Sequence, residues 1–351
     1  MTEKLNIGII GAGWPGQMHA LAIREVEGAN LHACADLDDE RRAAFKNEYA
    51  PAKTCAHYDD LLADRDVDAV VICLPNFLHF PASLAALEAG KHVLCEKPPT
   101  MNAAEMKVLR DEANKRGLVY FFSRQYRFTP GMRAAKALVD ADRLGKIYHA
   151  KAIFIRSRGI PVGIGDWFTE KKRSGGGALI DIGVHALDSA WYLMSTPRPA
   201  SVNAQTFRNF EHLVRVPTFD VEDAAYAFIR FENGAVVHLE TCWAANLPDD
   251  IPPRQYFGQE LINSIVYGTK GTIRLNPLSF FEDQKGELVS VPLEVKANEP
   301  GSFVLQLRNF VESIAGAAKP INNADQAVAL MEMIDAIYAS SAAGREMPIV
   351  G

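Results

Sequence analysis

A chain of 351 residues is longer than one ordinary domain and points to two or three. Its make-up, 48% hydrophobic and 23% charged, is that of a globular protein with a sizeable core, and its net charge of −6 excludes the broad basic surface that nucleic acid requires. Five dispersed cysteines without a CxxC pair exclude a zinc ribbon and a disulfide framework, and no apolar run reaches membrane-spanning length. No basic leader precedes the first apolar stretch, so a reducing cytoplasm is the expected compartment, with no metal, nucleic-acid or membrane partner.

Strands are predicted at Leu5–Ile10, Leu31–Ala35, Ala69–Cys73, His92–Cys95 and Val119–Phe122, with a small one near Lys53–Tyr58. They are apolar almost throughout, as strands covered on both faces must be, and they alternate with helical patterns at Gly16–Glu27, Asp39–Tyr49, Phe80–Ala89 and Asn102–Arg116. Gly90 and Gly117 fit as helix C-caps. This is a βαβ series with a parallel sheet over 1–125.

The character then changes. A helix at Gly131–Ala141 and a strand at Tyr148–Arg156 lead through a polar loop to a helix at Ala178–Met194. Asn233-Gly234 joins Ala224–Phe231 to Ala235–Trp243 as a hairpin, and Lys270-Gly271 and Lys285-Gly286 continue a meander. Two helices, Phe303–Ala315 and Ala324–Ala342, close the chain. Residues 126–351 therefore read as an α+β domain with a mostly antiparallel sheet, and one closing helix could pack back on the first domain.

Gly11-Ala12-Gly13-Trp14-Pro15-Gly16 stands between the first strand and the first helix. Glycines there allow a tight turn and close backbone approach to a pyrophosphate, which the helix N-terminus then attracts. Asp36 ends the second strand twenty residues after Gly16, where a carboxylate can take the adenosine ribose hydroxyls. A carboxylate repels a 2′-phosphate, so NAD is the expected cofactor, with NADP the alternative through Arg41 or Arg42. Leu37, beside Asp36, belongs to the same expected cofactor site.

Two later segments are more specific. Pro75-Asn76-Phe77-Leu78-His79 leads through a helix to Gly90-Lys91-His92-Val93-Leu94-Cys95-Glu96-Lys97-Pro98. Gly175-Gly176-Gly177-Ala178-Leu179-Ile180-Asp181-Ile182-Gly183-Val184-His185-Ala186-Leu187-Asp188 follows in the second domain. Asp181, His185 and Asp188, at i, i+4 and i+7, would share one face of a regular helix. The three glycines before them would let a ligand or a backbone come close.

With the glycine turn, these segments resemble the glucose-fructose oxidoreductase / inositol dehydrogenase / rhizopine catabolism (Gfo/Idh/MocA) family over nearly the whole chain. The resemblance implies a Rossmann domain, an open-faced antiparallel sheet, a sugar or polyol substrate, and a homodimer or homotetramer joined through the sheet. It implies that Lys97 holds the reacting hydroxyl, that His185 is the general base, and that Asp181 orients substrate or histidine. Leu74, Pro75, Asn76, His79, Glu96, Lys97 and Gln125 would complete the cofactor site, and Tyr126, Arg127, Arg158 and Trp167 would help bind the sugar. Two positions depart from the family: Ser123-Arg124-Gln125 replaces Asn-Arg-Arg, and Phe168 follows Trp167 where an arginine is common. The expected activity is hydride transfer between a secondary alcohol of a sugar, glycoside or inositol and the nicotinamide. The alternatives are redox-neutral glycoside cleavage and a non-catalytic cofactor-binding regulator.

Overall fold

The computed structural model describes residues 4–350 except 249, 252, 255–257, 294 and 296–298. The short apolar runs form β1 (Leu5–Ile10), β2 (Ala29–Ala35), β3 (Lys53–Cys55), β4 (Ala69–Ile72), β5 (His92–Cys95) and β6 (Tyr120–Phe122). Parallel neighbours need crossovers, and α1 (Trp14–Glu25), α2 (Asp39–Tyr49), α3 (Tyr58–Leu62), α4 (Asn76–Glu88) and α5 (Ala103–Arg116) supply them. The strand order β3-β2-β1-β4-β5-β6 reverses direction between β1 and β4. In such a sheet the ligand crevice opens at that switch point, outside the carboxyl ends of the strands. Asp38 and Asn102 cap α2 and α5 by accepting the N–H groups of Arg41 and Glu105, and Gly117 ends α5 at φ 66°.

The chain continues through α6 (Pro130–Asp140), β7 (Ile147–Arg156), α7 (Lys171–Ser174) and α8 (Val184–Leu193). Then come β8 (Pro199–Phe207), β9 (Ala224–Phe231), β10 (Val236–Cys242), β11 (Pro253–Arg254), β12 (Gly258–Gly268), β13 (Gly271–Leu275), β14 (Leu278–Gln284) and β15 (Glu287–Val291). The chain closes with α9 (Ser302–Ile314), α10 (Ala324–Ala343) and β16 (Met347–Pro348). Among the described residues the second sheet runs β15-β14-β13-β12-β7-β10-β9-β8-β16, with β11 on β12. It is antiparallel apart from the β7–β10 pair. Ala150, Ala152 and Phe154 alternate inward along β7, and α8 covers that face of the sheet. Gly234, at φ 82°, turns the β9–β10 hairpin as its dipeptide predicts.

The chain divides into two compact units: the first runs to Phe128 and takes in Glu299–Val328, and the second takes the remainder. This differs from a simple split at 125/126. Helix α9 packs on α1 because Val304, Leu307 and Phe310 bury their side chains in the same core as Ile7, Ile9, Ala20 and Ile23. No described helix is long and apolar enough to cross a membrane.

Candidate active site

In the first unit, β1 delivers Gly11 at φ 102°, where a Cβ would lie 2.4 Å from the Cys73 carbonyl oxygen. A Cβ on Gly16 would lie 2.1 Å from the Gly11 oxygen, so the turn closes only with glycine at both places. Gly13 differs: a Cβ there would meet only Pro15, at 3.9 Å, and would intrude on open space in front of the helix. Helix α1 has no side-chain cap and no acidic residue in its first turn, so its N-terminal N–H groups and partial positive charge face that space. This cradle fits a dinucleotide pyrophosphate.

The Asp36 carboxylate closes over the turn by accepting the Ala12 N–H (2.8 Å) and the Asp38 N–H (2.9 Å). Each oxygen keeps acceptor capacity for a ribose hydroxyl. Arg41 is drawn to Asp36 (3.7 Å) and Asp38 (3.3 Å), so its guanidinium is already matched with carboxylates. Leu37 and Trp14 are exposed beside this site, the latter edge-on to Phe303.

The second loop of the site lies at the end of β4. Leu74 and Pro75 precede α4, Pro75 is its N-cap, and Asn76 is buried in the first turn. His79 departs from the expected cofactor contact. Its Nδ1 and Nε2 lie 2.6 Å from the carbonyl oxygens of Pro98 and Leu74, so both ring nitrogens are taken up by the protein. Two carbonyl acceptors are satisfied together only by an imidazolium. Burial works against that charge, but the Cys95 sulfur and the two carbonyls outweigh it and push the pKa up to about 9. A raised histidine pKa adds stability that is complete below the ordinary value near 6.5 and is lost as pH rises through about 9. His79→Gln is therefore expected to destabilise the protein by about 2–3 kcal/mol near neutrality and by much less in strongly alkaline buffer. Urea midpoints of both proteins across that range measure the difference, and a penalty independent of pH would refute the charged clamp.

Lys97 directly follows β5 and the buried Glu96, and its peptide bond to Pro98 is cis. After β6, Gln125 and Tyr126 open a short 3-10 turn, and the Gln125 Oε1 is buried without a partner among the described residues. Arg127 is not available to a sugar. Its guanidinium is buried on the Ile321 carbonyl (2.8 Å) and Gln326 Oε1 (2.5 Å), which ties this turn to the first turn of α10 and the segment before it.

In the second unit, the helix expected from Ala178 opens with a π-helical turn, Leu179–Gly183, before α8 begins. The Val184 N–H reaches back to Leu179 O, so the turn holds an extra residue. Asp181 lies in this widened turn and His185 in the first turn of α8, which breaks the regular i, i+4 spacing. Both are buried, and Asp188 is fully so. The glycine run serves packing here rather than ligand approach. A Cβ on Gly176 would sit 1.9 Å from the Tyr338 hydroxyl, and one on Gly177 would sit 1.8 Å from the Glu222 carbonyl oxygen. The Glu222 carboxylate then accepts the N–H groups of Gly177 (3.0 Å) and Leu179 (2.9 Å) and the Tyr338 hydroxyl (3.0 Å). Burial pushes its pKa up, and these donors oppose the shift. Of the other expected sugar contacts, Arg158 is exposed and bonded to the Ser157 carbonyl and Asn246, and half-buried Trp167 stacks on Phe168 at 3.8 Å.

Two family models match the chain: an NAD-binding Rossmann-fold oxidoreductase family over residues 5–123, and the GFO/IDH/MocA C-terminal domain over 132–274. The D-glucoside 3-dehydrogenase of Escherichia coli (strain K12) is 30% identical, with 99% of this chain and 98% of that protein aligned. The chain belongs to the Gfo/Idh/MocA oxidoreductase family. A myo-inositol 2-dehydrogenase of Thermotoga maritima is 25% identical over 93% of each chain. The solved structure of a levoglucosan dehydrogenase in complex with NADH and L-sorbose shares the fold, with a TM-score of 0.87, 23% identity and 99% of each chain covered. As a member of this family the protein is an NAD-binding oxidoreductase.

No local pattern in the sequence singles out Trp243 as a partner of Asp181. It ends the hairpin strand fully buried and donates its indole N–H to Asp181 Oδ2 at 3.0 Å, across 62 positions of sequence. Trp243→Phe removes that donor and trims a fully buried indole to a smaller ring. It is expected to cost about 2–4 kcal/mol in urea unfolding and to lower kcat/KM roughly tenfold or more. Full activity in steady-state assays would show that Asp181 needs no such restraint.

Proposed function

We propose that this protein oxidises a ring secondary alcohol of a sugar, glycoside or polyol with NAD, and that a glucoside is the substrate to try first. The observation that carries this reading is Lys97 in its Glu-Lys-Pro setting at the carboxyl end of β5, in a chain 30% identical end to end to a D-glucoside 3-dehydrogenase. Bound NAD supplies a hydride acceptor. The Lys97 ammonium donates to the substrate hydroxyl oxygen and stabilises the negative charge that builds there as the C–H bond breaks. His185 takes the hydroxyl proton, and Asp181, held by Trp243, orients the substrate or the imidazole. The Asp36 carboxylate, with Arg41 already matched to acids, favours NAD over NADP.

The test is growth of NADH absorbance with the purified protein, NAD and a panel of glucosides, free sugars and inositols. One responding member supports the reading. Glycoside cleavage without accumulated NADH would replace it with the redox-neutral reaction, and NAD binding without turnover of any member would favour a regulator.

We also propose that copies pair through the sheet of the second unit. Its open face carries Tyr226, Phe228 and His238 beside His149, which stacks on Tyr267 at 5.2 Å. Aromatic residues aligned on a solvated sheet face are a surface a partner would cover. Phe228→Glu is expected to lower the mass seen by light scattering towards that of one chain, and an unchanged oligomer mass would place the contact elsewhere.

A further inference from the structure

Glu96 is the neighbour of Lys97 in sequence, yet its side chain points into the first unit and gathers donors from three directions. His19 Nε2 lies 2.9 Å from Oε1, the Ser123 hydroxyl donates to the same oxygen at 2.9 Å, and the Lys97 peptide N–H donates to Oε2 at 3.1 Å. Burial works to raise the pKa of this carboxyl, but His19, Ser123 and the Lys97 N–H outweigh it and hold it at about 2. The group is a buried anion at neutral pH.

Each donor is itself held. Ser123 Oγ accepts from Gln306 Nε2 at 3.0 Å. Gln306 Oε1 in turn accepts the Arg124 N–H (2.6 Å) and Asn322 Nδ2 (3.3 Å). His19 is fully buried, its ring set edge-on to Phe303 at 5.1 Å, and its Nδ1 has no partner among the described residues. The ring therefore donates once, from Nε2, and Glu96 is the acceptor that fixes it. His19 belongs to α1, the helix whose N-terminus faces the pyrophosphate cradle. Ser123 follows β6, and Gln306 belongs to α9. A buried polar network is costly when one member goes unsatisfied, so it settles in one arrangement.

We propose that His19, Glu96, Ser123 and Gln306 form a positioning relay that fixes the peptide of Lys97 by anchoring it to buried side chains of α1 and α9. Of these residues the catalytic reading uses only Lys97, and the inference rests on that reading for its kinetic consequence. Glu96 and its partners act through Lys97 and are positioning residues. Their loss changes where the lysine begins while leaving the phosphate cradle intact.

The test uses the full-length protein and the variants Glu96→Gln, Ser123→Ala and Ser123→Thr. Hydrogen exchange of the Lys97 amide, resolved by fragmentation mass spectrometry, needs no substrate. It is expected to quicken about tenfold or more in Glu96→Gln and Ser123→Ala, to return towards the native rate in Ser123→Thr, and to leave β1 and β4 protected. Kinetically, kcat should fall roughly tenfold or more, with the KM for sugar and NAD affinity little changed. Unchanged exchange at Lys97 would overturn the relay. Uniformly faster exchange across the sheet would overturn it too, because the network would then only be supporting the core. If Lys97 exchange responds as expected but the native protein turns over no sugar, the relay stands and the dehydrogenase reading falls.

Discussion

Lys97→Met is expected to slow sugar-dependent NADH formation roughly 100- to 1,000-fold while NAD still binds. Methionine keeps an unbranched stem of similar reach and removes the ammonium, so the change isolates the charge rather than the volume. The oxygen of a reacting carbinol becomes more negative as hydride leaves, and a fixed cation beside it is worth more in the transition state than in the ground state. The phosphate cradle is built from other elements: the turn after β1, the first turn of α1 and the Asp36 carboxylate. NADH fluorescence titration and initial rates on the same preparation separate the two effects. Turnover close to native would remove Lys97 from the handling of oxygen, and a matching loss of NAD affinity would make it a cofactor ligand instead.

Gly177→Ala should be the most damaging single methyl group in the second unit, costing about 3–5 kcal/mol. Its Cβ would lie 1.8 Å from a backbone oxygen of Glu222 and 3.0 Å from Val221 Cγ2, and neither can rotate away as the tip of a long side chain could. Relief requires moving the Val221–Glu222 backbone. That displaces the carboxylate receiving the Gly177 and Leu179 N–H groups and loosens the turn that carries Asp181. Stability and activity should therefore fall together. Gly131→Ala is the matched control. It adds a methyl group in the first turn of α6 at an ordinary 3.8 Å from Leu278, and helix propensity alone should stabilise the protein by about 0.5–1 kcal/mol. Urea unfolding of the two variants measures both signs, and a Gly177→Ala protein as stable as the native one would show that the Glu222 segment yields.

The first unit was largely readable because its signals are local. Period, capping and the strand–turn–helix placement of Gly11 and Gly16 all lie within about one helical turn of the residues they govern. Strands β1 and β5 and helix α2 appear at the predicted residues. The Glu-Lys-Pro segment stands where the end of a strand was predicted. Residues whose partners are distant in sequence were misjudged. Arg127 reads as a donor to the sugar until Ile321 and Gln326 arrive to bury it. His79 reads as a ligand until the Pro98 and Leu74 carbonyls close on its ring. The glycine run reads as room for a ligand or a backbone, and only the fold decides for the latter, with the Glu222 backbone against Gly177 and Tyr338 against Gly176.

Sequence alone determined the nucleotide-binding architecture and the antiparallel character of the second sheet, while Lys97, His185 and Asp181 came forward only through resemblance to a family. The first two follow from backbone geometry and side-chain chemistry expressed over a few adjacent residues. Only the tertiary structure decided that α9 returns to the first unit, that the helix bearing Asp181 opens with a π turn, and that Trp243 reaches Asp181, Glu222 the Leu179 N–H and His19 the Glu96 carboxylate. An apolar helix face specifies that it must be buried but not against what. A buried carboxylate likewise requires donors without specifying which part of the chain will supply them.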